Sequence, residues 1–180
     1  MATPFDPNGA VRFDLRTGAA SDARGARLGL VPSAALAALG SDAITAIGLA
    51  IGRAAGERIA ARLGGENGVR AAAPKLAITH LAGELAIAGI GAVHVERWGR
   101  AMVAIVTNAS IDNDMFLGAV LGGALSAASG REVAAASLGR EGPSTRYFLG
   151  AQATADRVRV LIGKGQSYAE VLAGLQGATS

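Results

Sequence analysis

The sequence predicts an α+β domain in which antiparallel hairpins pack against long helices. Apolar residues recur at helical spacing through residues 43–63 and 69–88, and they alternate with polar ones through 11–15 and 92–106. Helices also come in runs followed by hairpin-linked strands. That order argues for an antiparallel sheet and against a doubly wound one.

Residues 1–9 read as a flexible lead-in, and 10–180 as a single domain with a helical appendage from about residue 151. The first residues lack the basic start and apolar stretch of a signal peptide, so no leader is expected. A strand is predicted over Val11–Leu15, paired with a second over Ala26–Val31 across an arginine-bearing turn. Ser33 is placed as the N-cap of a short helix over Ala34–Leu39, closed by Gly40.

The next helix starts at a Ser41 or Asp42 cap and runs to Leu63, where Gly64 and Gly65 end it. Within it Gly48, Gly52 and Gly56 recur every fourth residue, so they share one face and form a smooth groove along the axis. Each glycine costs about 1 kcal/mol relative to alanine in a helix interior. Either a closely approaching helix or a ligand lying on the backbone would offset that cost.

A second long helix is predicted over Val69–Ala88, regular from about Pro74. A hairpin follows over Ala92–Val106 with its turn near Trp98 and Gly99. The third helix runs from Asp114 to about Ala128, capped by Asp112 or Asn113 and closed by Gly130. Its Gly118 and Gly122 repeat the small-residue spacing, which predicts contact between the two glycine seams. Strands over Arg131–Leu138 and Arg146–Leu149 form another hairpin, and short helices over Thr154–Ile162 and Ser167–Leu175 finish the chain.

Composition excludes several function classes. Apolar residues make up 51% and charged residues 17%, with 26 glycines and few aromatics, so packing is fine-grained and surface burial in a homodimer or higher oligomer is expected. The formal charge of +3 comes from scattered arginines, with no basic run, so no nucleic-acid partner is expected. There is no cysteine for disulfide, thiolate or metal chemistry. No uninterrupted apolar run reaches membrane-spanning length, and a cytoplasmic location is expected.

The element order, together with particular stretches, resembles the 4-vinyl reductase domain family, whose fold is shared with subunits of the TRAPP vesicle-tethering complex. Those stretches are Leu28-Gly-Leu-Val-Pro-Ser33, the helix Gly48-Leu-Ala-Ile-Gly-Arg-Ala-Ala-Gly-Glu-Arg-Ile-Ala60, the hairpin around Trp98, Phe116-Leu-Gly-Ala-Val-Leu-Gly-Gly-Ala124 and Arg146-Tyr-Phe-Leu-Gly150. The resemblance implies a module that holds a small apolar molecule or acyl chain between helices and sheet and commonly dimerises. Family members often carry cysteines in the last hairpin, where this chain has Ser137 and Thr145. No thiol-dependent metal site or acylation is therefore expected.

The residues support two readings of function. In the first, the chain is a non-catalytic, sensory or regulatory binding module. An apolar or acyl-like ligand is lined by Ile47, Gly48, Ile51, Gly52, Leu81, Leu85, Leu117 and Leu121. In the second, it is a structural or adaptor protein in a homo- or hetero-oligomeric assembly whose seams are filled by helices. Trp98 between Arg97 and Arg100 is the candidate anchor for a protein partner, or else it folds back over the sheet edge.

His80 and Glu84 lie on one helical face, joined in the functional reading by His94. The ordinary reading is a side-chain contact on a partly solvated face. Gly163–Ser167 lacks the phosphate-loop pattern, and Asp112–Asp114 lacks the calcium-loop spacing. No catalytic residues, cofactor or metal are expected.

Overall fold

The structure is a computed structural model describing residues 4–99 and 101–177. A 3-10 turn at Pro7–Gly9 precedes a three-stranded meander of β1 (Val11–Asp14), β2 (Ala19–Asp22) and β3 (Arg27–Leu28). Helices α1 (Ser33–Ala37), α2 (Ser41–Leu63), α3 (Gly65–Ala71) and α4 (Pro74–Ile87) follow. Next come β4 (Ala92–Trp98), β5 (Ala101–Thr107), α5 (Asp114–Ser129), β6 (Ala134–Glu141), β7 (Ser144–Gly150), α6 (Gln152–Gly163) and α7 (Tyr168–Gly177). The predicted α+β class with antiparallel sheets is the observed one.

The main sheet has the order β4-β5-β7-β6, antiparallel throughout. Side chains alternate between its faces, and both faces are covered. Val93, Ala104, Val106, Tyr147 and Leu149 join the larger core beneath α2, α4 and α5. Val103, Ala136, Leu138 and Phe148 face the other way, into a second core closed by α6 and α7. The C-terminal helices, expected as an appendage, are thus the second cover of the sheet.

The largest helix–helix contact is α2 against α5, along the glycine ladder. A Cβ at Gly48 would meet the Phe116 carbonyl oxygen at 2.7 Å, and at Gly52 or Gly56 it would overlap the carbonyls of Val120 or Ala124 outright. The ladder therefore faces another helix of the same chain. Glycine lets the α5 backbone approach where any side chain would hold it away.

The partner face of α5 is not the predicted Gly118 and Gly122. Those two turn toward β6 and the Val133 backbone, whereas Ala119, Gly123 and Ala127 meet α2.

Local signals set the helix ends. Asn113 caps α5 by accepting a bond from the Phe116 amide at 3.0 Å, and Gly64 ends α2 in the left-handed conformation. Ser33, Ser41 and Asp42 do not cap as predicted: Ser33 and Ser41 are first helical residues, preceded by Pro32 and Gly40 without a side-chain cap. The second long helix is two helices, because Pro74 pushes Ala73 into extended backbone. At the N-terminus β1 pairs with β2, a strand the alternation did not show, and β3 then adds to β2.

A buried ion network fastens this meander to the helices. Glu84, 1% exposed, accepts the Arg58 Nε–H at 2.6 Å and pairs with Arg62 at 2.9 Å. Arg58 also lies 3.8 Å from Asp22, which is 3% exposed and accepts the backbone amides of Arg24 and Ala26 at 2.9 Å. Phe5 sits in the space left by Gly83, edge-on to His80 and beneath the Arg62 guanidinium. The expected flexible lead-in is therefore anchored at Phe5. His80 and Glu84 are buried, not on a partly solvated face. His94 is exposed on the sheet face turned away from α4, paired across from Ile105, so it does not join them.

Burial raises the Asp22 pKa, but the amide bonds from Ala26 and Arg24 and the charges of Arg24 and Arg58 outweigh it and hold the carboxyl below its ordinary 3.8. A lowered native pKa gives stability that is complete above the unfolded value and is lost as pH falls through the native one. Hydrogen exchange is therefore expected to show β2 and β3 losing protection as pH drops below 3.8, before the α2–α5 core opens. Glu84→Gln leaves two guanidiniums facing a neutral amide and is expected to cost about 3 kcal/mol in denaturant unfolding. At the ladder the sign depends on position. Gly52→Ala gains about 1 kcal/mol of helix propensity but forces the helices apart, for a net loss of about 1–3 kcal/mol. Gly118→Ala, whose Cβ would have no neighbour closer than 3.8 Å, is expected to stabilise by up to about 1 kcal/mol.

Candidate functional site

Two spaces differ sharply in character. The larger is an open trough of about 1050 Å³ along the outer face of α5, between α2 and the β6–α6 side. Gly118, Gly122 and Ser126 form its floor, and Arg53, Glu57, Glu132 and Arg159 are among its borders. Its breadth and mixed charge leave little to enclose a small molecule. At one end the buried Tyr147 hydroxyl donates to Asp114 at 3.2 Å, and Arg140 pairs with Asp112 and Asp114. Burial, reinforced by the Asp114 charge, drives the Tyr147 pKa far up, so this phenol stays protonated near neutral pH and can donate to Asp114.

The smaller space is a cavity of about 120 Å³ on the opposite side of the sheet–helix interface. Helix α4 contributes Pro74, Ala77, Ile78 and Leu81; Val69 comes from α3 and Ile59 from α2. The sheet closes it with Val95, Met102 and Leu149, and α5 with Leu125 and Ala128. It exists because the tip of the β4–β5 hairpin reaches past the helices: Met102, on the helix-facing side of β5, is still 41% exposed. Every bordering residue is aliphatic, proline or methionine. The pocket opens to the surface beside Pro74 and Met102; its lining favours apolar guests, and an enclosed apolar space of about 150 Å³ holds benzene.

Of the eight residues predicted to line a ligand, Leu81 alone borders this cavity. Gly48 and Gly52 are closed off by α5. Leu85, Leu117 and Leu121 are fully buried in the main core, with Ile47 and Ile51 packed at its margin. The prediction placed the site beside the ladder; the cavity lies one helix over, beneath α4. In the sequence, Leu81 lies on the stripe of Leu76, His80, Leu81, Glu84, Leu85 and Ala88 along that predicted helix, whereas Ala77 and Ile78 lie outside it.

Trp98 is 39% exposed and donates to Glu96 at 2.9 Å. It meets Tyr168 edge-on at 6.1 Å, and Gln176 donates to its carbonyl at 3.2 Å. Arg97 donates to the Gly99 carbonyl at 2.9 Å, while Arg100 lies outside the described residues. The hairpin tip thus packs against α7, and the stacked guanidinium here is Arg146 over Tyr168. Among the described residues no cluster of His, Asp or Glu is arranged to hold a metal, and no helix is long and apolar enough to cross a membrane.

No protein-family profile and no curated protein sequence matches the chain. Among solved structures it is similar to the phenol-responsive sensory domain of the transcription activator PoxR, determined with phenol. The TM-score is 0.59 at 15% identity, over 87% of this chain and 92% of that one. At this identity the likeness is one of fold: the chain shares the mixed helix-and-sheet architecture of that sensory domain.

Proposed function

We propose that this chain is a non-catalytic sensory or regulatory module that takes a small apolar ligand in the cavity beneath α4. The observation carrying this is the cavity's wholly apolar lining at the junction of four helices and the sheet. The fold shared with a sensory domain supports it, as does the resemblance of the element order to the 4-vinyl reductase family. Helix α4 gives the site a route outward. Its Ala77, Ile78 and Leu81 border the cavity, while its His80 and Glu84 hold the N-terminal arm. A guest that stabilises the position of α4 thereby stabilises the arm.

A second feature supports a role in assembly alongside binding. In the meander Phe13, Ala20 and Leu28 share one face by register, and Arg12, Ser21 and Arg27 the other. Phe13, Leu15, Leu30 and Val31 are 60%, 92%, 80% and 57% exposed. Exposed apolar surface of this extent marks an interaction surface, and association with a second copy through this arm is the reading we favour.

In melting experiments benzene at ten times its dissociation constant is expected to add about 1.4 kcal/mol, a rise of about 3–5 °C. Ala77→Leu, which fills the cavity, abolishes the rise; an equal rise in that variant would remove the cavity as the site. For the arm, light scattering on dilution is expected to show dimers that Leu15→Asp with Leu30→Asp converts to monomers of unchanged helix content. Monomers at every concentration of the unsubstituted chain would exclude association through the arm.

A further inference from the structure

Resting on the cavity reading above, we infer that the site selects a single-ring hydrocarbon and discriminates against its hydroxylated counterpart. The inference comes from what the lining lacks. A recognition site for a phenol or alcohol needs an acceptor or donor for the hydroxyl, because an unpaired polar group taken out of water is strongly disfavoured. Typical small-molecule sites place a few polar groups among apolar ones for this purpose.

Here no such group borders the space. Ile59, Val69 and Leu81 from the helices and Val95, Met102 and Leu149 from the sheet carry no hydrogen-bonding side chain beyond the weakly accepting Met102 sulfur. The polar groups along α4 are engaged elsewhere: Thr79 donates to the Lys75 carbonyl at 2.8 Å, Glu84 is engaged by Arg58 and Arg62, and His80 packs against Phe5. A hydroxyl held against this lining would thus give up water on that side and gain no side-chain partner in return.

Volume sets the size of the guest. About 120 Å³ is slightly below the roughly 150 Å³ that accommodates benzene. The space therefore suits one six-membered ring or a branched aliphatic of similar bulk. A fused bicycle or an extended acyl chain would reach beyond the pocket into solvent. The fold neighbour was determined with phenol, so the present chain combines a similar architecture with a cavity of a different chemical preference.

The test is a matched titration of the full chain with benzene and phenol. It follows the methyl resonances of Leu81 and Val95 by NMR together with the melting temperature. Benzene is expected to shift both methyl groups and to bind at least about ten-fold more tightly than phenol. Val95→Thr supplies a hydroxyl at the cavity wall and is expected to narrow that ratio several-fold. Phenol binding as tightly as benzene, with the same methyl shifts, would overturn the selectivity and leave the cavity as a binding site. An unchanged ratio in Val95→Thr, in a variant that melts as a folded protein, would also overturn it, since the missing polar partner would not be the cause. If neither compound moves the methyl resonances, the proposed site itself fails, and the selectivity with it.

Discussion

The close approach of α2 and α5 fixes the position of nearly everything else. Side chains normally hold two packed helices about 8–10 Å apart, and at three successive turns α2 presents none. Carbonyls of Phe116, Val120 and Ala124 occupy the space where those side chains would be. With these two helices locked, the opposite side of α5 is free to lie on the sheet, where Leu117, Val120 and Leu121 meet Tyr147 and Leu149 in one core. The pocket beneath α4 lies beside the same helix pair, bordered by Ile59 of α2 and by Leu125 and Ala128 of α5.

Attachment of the N-terminal arm follows a different logic. The meander has no core of its own, and three strands of two to four residues cannot stand alone. Its fixings are a carboxylate, two arginines and one aromatic ring, set against an α4 whose Gly83 leaves out a side chain where Phe5 sits. Charged fixings of this kind are specific in geometry and contribute modestly once desolvation is subtracted. The core and the arm are therefore held by different kinds of contact, apolar packing in the one and buried charges in the other.

Features set by neighbouring residues were legible in the sequence. Gly64, Asn113 and Gly130 end or begin helices through bonds confined to one turn. The glycine spacing likewise announced a smooth helix face. It did not say what lies against it, because periodicity names a face and not the neighbour. The pairing of Gly118 and Gly122 with the ladder failed for that reason: adjacent residues 119, 123 and 127 turn toward α2 instead. β2 escaped notice because Ala19-Ala-Ser-Asp22 has no β-branched residue. Glu84 looked like a solvated residue because its arginines sit 26 and 22 positions away, on another helix. A cavity is harder still to foresee, since it is a gap among four helices and three strands and belongs to none of them.

The two edges of the main sheet are blocked in different ways. Along β6, Arg159 of α6 donates to the Ala135 carbonyl at 2.8 Å, and the register shifts between Ser137 and Gly139. Along β4, His94 and Glu96 on one face and Arg97 on the other are all exposed. An unpaired strand edge is a template on which other chains can add, and charges, irregular register and covering side chains each frustrate that addition. In a chain with so high an apolar fraction, this keeps the sheet from seeding fibrous growth. Misassembly by strand addition is suppressed at both edges, so contacts with other molecules are left to surfaces where side chains, and not the backbone, choose the partner.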